Sequence, residues 1–350
     1  MTRLAFIQGI RASAALAIIA FHLSDHISRS GYTGRIVTEM MYVVLLFFVI
    51  SGFVISYTLE QRNKSNLNFY IRRVFRISPL FYSVFLIYIL YNVFILKQPL
   101  PPIDLTLLTL TYTFNLYPAY AYSYVGAGWI VGVEMLFYIL SPLMIYYIDN
   151  LNKAIAFFIA SVIISYCFIK IMPIFTPPVI IDFYTYAAFP NQLPVFVVGI
   201  ICYFIYRDIL PKINYKLSAS LILGITFLGL MYFAYGHNFF LPNCIRGLAF
   251  GCLLISIALN PTKLITNRAF LFLGDISYSI YLIHPLIIFI LFPSVYSTIH
   301  NIIGTGITAY IMCYIITLIL VLPLAYLSYI SIEKQGIKIG KKLIMHKQHR

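Results

Sequence analysis

Charge is what this sequence has least of. Only 10% of its 350 residues are Asp, Glu, Lys or Arg, against roughly a quarter in an ordinary soluble domain. With 61% hydrophobic residues and a mean hydropathy of +0.91, too few polar side chains remain to cover a water-facing surface, and a sizeable soluble domain is excluded. Cysteine is scarce as well. The five present, Cys167, Cys202, Cys244, Cys252 and Cys313, fall in or beside apolar runs without paired spacing and read as small buried hydrophobes. Internal repeats and low-complexity segments are missing, which weighs against a carrier built from inverted halves. A small-residue cleavage site is also missing. The first apolar run carries Arg11 and ends in His22 and Asp25, so it reads as a retained helix rather than a removed signal.

What is present is apolar sequence in runs of about 17 to 25 residues, each long enough to cross a bilayer. Ten can be drawn, over 4–24, 37–59, 77–96, 129–148, 154–172, 191–206, 218–235, 244–259, 270–292 and 303–331. This predicts an all-α polytopic transmembrane bundle of about ten spans. The basic residues give its direction. Alternate connections hold Arg62, Lys64, Arg72, Arg73 and Arg76, then Lys153, then Arg207, Lys212 and Lys216, then Lys263 and Arg268. The tail adds Lys334, Lys338, Lys341, Lys342, Lys347 and Arg350, whereas the opposite connections carry only Arg29, Arg35, Lys97, Lys170 and Arg246. Roughly three quarters of the basic residues therefore lie on one side, which places both termini in the cytoplasm. The net charge of +14 is explained by this topology and needs no nucleic-acid partner.

A membrane domain over 1–335 and a basic cytoplasmic tail over 336–350 account for the chain, and no appended extracytoplasmic domain is expected. The longest connection, 97–128, is rich in Tyr, Thr and Pro. It lies along the outer interface, re-enters the membrane, or forms a further span.

Ionisable side chains inside spans are costly enough to mark function by default. Here they are Arg11, His22, Glu134 and His284. Arg11 and His22 are eleven residues apart, and eleven steps of about 100° return a helix to within about 20° of its starting direction. They share one face at two depths, roughly 16 Å apart. The plainer alternative is that Arg11 snorkels and His22 marks the water boundary. Glu134 is expected at a depth close to that of His22, where a carboxylate would orient the imidazole for general-base work on a hydroxyl; a structural helix-to-helix bond is the alternative. Asp25, three residues beyond His22, stands ready to assist it or simply ends the span.

The stretch from Phe69 to Pro79 reads as a loop that puts Arg72, Arg73 and Arg76 at the inner mouth of the third span. The last two could fork onto phosphates, although a positive-inside cluster needs no ligand. Ser51 with Gly52 reads as a packing notch, and His284, beside Pro285, as either a second site residue or a satisfied packing histidine. Trp129 and the tyrosines of 97–128 offer stacking faces for sugar rings or an aromatic belt. No cluster has metal-ligand spacing, so no metal is expected.

Taken in order, five motifs resemble the integral membrane acyltransferase-3 family, which includes bacterial O-antigen and exopolysaccharide O-acetyltransferases. They are Gly9-Ile10-Arg11-Ala12 with His22; Phe48-Val49-Ile50-Ser51-Gly52-Phe53; Arg73-Val74-Phe75-Arg76 with Pro79; Trp129, Glu134, Phe137, Tyr138 and Pro142; and Ser277-Tyr278-Ser279-Ile280-Tyr281-Leu282-Ile283-His284. Ile130 and Gln8 depart from it, where many members have Ser and Asp. The resemblance implies a membrane O-acyltransferase in a bacterial inner (cytoplasmic) membrane. Its co-substrate would be acetyl-CoA or another acyl-CoA from the cytoplasm, and its acceptor a saccharide, lipid-linked or at the cell surface. On this reading His22, Glu134 and Arg11 are expected to be catalytic, with His22 acting as a base or as a covalent acyl carrier. Arg73 and Arg76, which match the family's arginine pair, and the adjoining Arg72 are expected to bind the donor, with Asp25, Ser51, Trp129, Tyr138, Tyr278 and His284 as possible accessory residues. The rival reading is a carrier or flippase for an acidic or lipid-linked solute, which would move its solute without chemical change and without CoA.

Overall fold

In a computed structural model, residues 4–24, 37, 39–60, 66–236, 241–291, 293–304 and 306–348 are described. Among them, nine helices are long and apolar enough to span a membrane, and a tenth span follows if the bent pair Arg268–Asp275 and Ser277–Ile290 counts as one. The ten apolar runs of the sequence correspond to these elements one for one. They are α1 (Ala5–His22), α2 (Val43–Glu60), α3 (Asn66–Leu90), α4 (Trp129–Tyr147), α5 (Leu151–Phe175), α6 (Phe189–Phe204), α7 (Lys216–Gly236), α8 (Pro242–Leu259), the bent pair α9 (Arg268–Asp275) and α10 (Ser277–Leu286), and α11 (Ile307–Ser328). A last helix, α12 (Lys334–Gln348), follows α11 through a π-helical turn.

One local expectation changes and two become more specific. The arginines at 72, 73 and 76 are not in a loop, because α3 begins at Asn66 and carries them on its first turns. A count of apolar residues sees only the part of this helix that lipid covers. The tail is helical and packs against α3 rather than trailing from the bundle. Among the described residues, 97–128 holds no further span; it folds into a short helix (Ile103–Leu110) and two single 3-10 turns. This connection is pinned to the break before α6. Asn115 donates to the carbonyl of Ala187 (3.3 Å) and accepts from the amide of Phe189 (3.2 Å).

Burial separates the centre from the rim. The span containing α6 is 67% buried over its apolar window, whereas that of α7 is 6% buried and that of α5 11%. Lipid tails are as apolar as leucine, so helices here gain little from burial alone and associate through close packing and polar contacts. The centre shows such packing: Gly52 of α2 lies on the carbonyl of Phe196, and Gly199 of α6 lies on the carbonyl of Val49. A side chain at either place would meet the backbone of the other helix. Phe196 fills the adjoining space, its ring 4.6 Å from Phe48 and 4.0 Å from Phe137. Gly199→Leu is expected to destabilise the bundle by about 1–3 kcal/mol, read as a lower melting temperature of the detergent-purified protein. An unchanged temperature would mean the two backbones do not touch there.

Candidate active site

The bent pair positions the site. At Ile276 the chain turns by 66°, so α10 starts inside the bundle and runs beside α1. The two ionisable residues of α1 then meet α10 at two levels. Arg11 lines a narrow cavity of ≈ 70 Å³ together with Ser277, Tyr278 and Tyr281. His22 meets His284, with ring centroids 5.0 Å apart, and the edge of Phe289 at 5.8 Å. The shared face inferred from the eleven-residue spacing is what allows both contacts.

Glu134 belongs to the first level, where the sequence reading had put it beside His22. It lines the same cavity as Arg11, Arg73 and Arg76, and accepts hydrogen bonds from Ser51 and Tyr138. Ser51 is therefore more than a packing notch, since its hydroxyl and that of Tyr138 hold this carboxylate. The guanidinium of Arg73 stacks over Tyr138 (4.9 Å) and Phe69 (5.5 Å), which holds it at the cavity rim. Tyr278 donates to the carbonyl of Ile77 on α3 at 2.8 Å.

One carboxylate of the site was not foreseen. Glu333, 1% exposed, lies 3.8 Å from Arg76 and accepts from Ser279 at 2.8 Å. In sequence it looks like the start of the charged tail. It is buried because the π-helical turn at Tyr329–Glu333 carries the last span on past the arginines of α3. The only sequence signal was a lone acid between an apolar run and a basic one. Arg11 lies within electrostatic reach of Arg76, Glu134 and Glu333. Three guanidiniums thus face two carboxylates in a medium of low dielectric, and one positive charge stays unbalanced.

His284 is fully buried; its Nδ1 lies 3.1 Å from the carbonyl of Ile280. A carbonyl only accepts, so Nδ1 carries the proton and Nε2 presents its lone pair, for which the described residues provide no partner. Tyr281 joins the two levels: it lines the cavity, and its ring is 5.6 Å from that of His284. Nothing in the sequence sets Tyr281 apart from the other tyrosines of the spans.

Other candidates lie elsewhere. Trp129 packs among Phe48, Phe183 and Tyr186 at 6.1, 5.9 and 5.5 Å, outside the cavity. Arg72 lines a second cavity at the cationic end of the bundle. Asp25 lies outside the described residues. Among the described residues no group of three or more His, Cys, Asp or Glu is placed to hold a metal.

The chain is similar along 96% of its length to an O-acetyltransferase OatA of Staphylococcus aureus, at 26% identity, covering 57% of that protein. Over 93 residues, 25% of this chain and 14% of the relative, it is 33% identical to a peptidoglycan O-acetyltransferase OatA of Listeria monocytogenes. It spans little more than half the length of the Staphylococcus relative and a smaller part of the other. No solved structure matches it significantly. A family profile described as an acyltransferase domain matches residues 4–329, nearly everything described above, including every motif from Arg11 to His284. On that match the chain belongs to the acyltransferase-3 family.

Proposed function

We propose that this protein is a membrane O-acetyltransferase that moves an acetyl group from cytoplasmic acetyl-CoA to a hydroxyl of a cell-surface or lipid-linked saccharide. One observation carries the reading beyond family membership: a polar track runs through an otherwise apolar bundle, from the arginines of α3, past Arg11 and Glu134, by way of Tyr281 to the His22–His284 pair. A transfer between two aqueous sides needs such a track. The charge distribution puts the arginine end in the cytoplasm and the histidine end outside.

In this reading Arg73 and Arg76 hold the donor's phosphates, and their charge excess favours an anion at the mouth. His22 takes the proton of the acceptor hydroxyl as its oxygen attacks the thioester carbon. The carbon–sulfur bond then breaks, the ester is released, and the proton passes from His22 to the departing thiolate. His284 supports the step from behind, because its unpartnered Nε2 can accept a hydrogen bond from protonated His22. Glu134 holds Arg11 and the hydroxyls of Ser51 and Tyr138 in place.

The test is NMR and mass spectrometry of surface polysaccharide from cells without and with the protein, with label supplied as acetyl-CoA to isolated membranes. Base-labile acetyl esters that appear only with the protein, carrying the label, are expected. Label that never reaches carbohydrate in the presence of a suitable acceptor would favour a carrier instead.

A further inference from the structure

We infer that α12 forms one wall of the donor site, and that Lys341 on it binds the nucleotide phosphate farthest from the thioester. This rests on the acyl-CoA reading above and extends it to a part of the chain that reads as a plain basic tail.

The geometry begins with two glycines. Gly336 sits on the carbonyl of Phe75 and Gly340 on the Phe75 side chain, so α12 lies directly against the first turns of α3. One residue further round, at the same four-residue interval, Ile337 and Lys341 face a second cavity of ≈ 250 Å³ that is also lined by Arg72, Arg73 and Arg76. Val54, Arg73 and Arg76 line both this cavity and the narrow one holding Arg11 and Glu134. They stand at the neck between the two. Arg72 and Lys341 line only the outer chamber.

The order of groups along the donor follows from this arrangement. A coenzyme A thioester carries its acyl group on a long uncharged arm, then a pyrophosphate, then a ribose bearing a 3′-phosphate. With the arm in the narrow cavity, the pyrophosphate falls at the neck beside Arg73 and Arg76. The 3′-phosphate then falls in the outer chamber with Lys341, whose compact ammonium on a flexible stem suits a terminal phosphate. Glu333 is the carboxylate paired to this cluster, and it offsets Arg76 rather than Lys341. An anionic lipid headgroup offers the same phosphate chemistry, so the membrane composition must be controlled.

The test compares binding of coenzyme A and of 3′-dephospho-coenzyme A to the full-length protein in vesicles of phosphatidylcholine alone and with added phosphatidylglycerol. Wild type should prefer coenzyme A, and Lys341→Ala should weaken coenzyme A by about 3–10-fold while leaving the dephospho form unchanged. Lys341→Arg should restore the preference, and Lys342→Ala, which lines neither cavity, should retain it. Equal affinity of wild type and Lys341→Ala for coenzyme A would overturn the inference while the donor reading stands. So would equal losses for both ligands, or a Lys341→Ala effect confined to vesicles with anionic lipid. If wild type binds neither ligand, the donor reading falls and this inference with it.

Discussion

His22→Ala, present in the membrane at the wild-type level, is expected to transfer acetyl groups about 10²–10⁴-fold more slowly than wild type, the range a positioned general base contributes. The size of the loss follows from the surroundings of His22. Its ring neighbours among the described residues are Phe21, His284 and Phe289. His284 keeps a free lone pair on Nε2 while its Nδ1 proton goes to the carbonyl of Ile280, so the residual rate of this variant reads how far His284 can stand in as base. Initial rates of label transfer to saccharide, normalised to the amount of folded protein, measure the effect. A variant that acetylates at the wild-type rate would remove His22 from the chemistry and leave the histidine pair as packing.

Glu134→Ala should damage the bundle itself. Deleting this carboxylate strips the hydroxyls of Ser51 and Tyr138 of their acceptor and leaves Arg11 facing Arg73 and Arg76 across one cavity. Breaking one partner out of a buried charged cluster typically costs about 3–5 kcal/mol, a large fraction of any domain's stability. The expected result is a sharp fall in monodisperse protein after detergent extraction and a lower melting temperature. Glu134→Gln keeps an acceptor oxygen for the two hydroxyls but not the charge, and should fall between Ala and wild type. If both variants extract and melt like wild type, Glu134 is not holding the arginines in place, and a direct role in transfer becomes the better account.

The spans were legible because the bilayer demands a fixed length of apolar helix and the sequence meets that demand ten times. The site was legible in its members but not in its pairings. Arg11, His22, Glu134 and His284 stood out because charge or imidazole in a span is costly. Depth along a single helix does not say which neighbour a side chain turns towards, however. Glu134 and His22 were matched by depth, yet α4 turns Glu134 towards Ser51 on α2 and away from His22. The true neighbour of His22 comes from α10, brought there by the bend at Ile276, which the sequence offered only as an unremarkable Asp275-Ile276-Ser277. Glu333 and Lys341 stayed hidden for a related reason: polar residues after the last apolar run look solvated until the helix that carries them is seen to run on along α3.

The exposed rim bears on how this chain changes over time. On α7, Leu221, Ile222, Ile225 and Leu228 are each more than half exposed, at 59, 64, 70 and 65%. The helix is tied to α8 by the hydroxyls of Ser220 and Ser256, 3.1 Å apart, each also donating to the other's backbone carbonyl. Selection on the lipid-facing side of this helix acts through its lipid solvent, because any greasy residue satisfies an acyl chain about equally well, whereas its other side is held by that clasp and by packing such as Phe227 on Phe250 (5.9 Å). Among descendants of a common ancestor the outer face of α7 is therefore free to drift through apolar substitutions while Ser220, Ser256, Phe227 and the glycines of α2 and α6 are held, so divergence in this chain should run from the lipid inward.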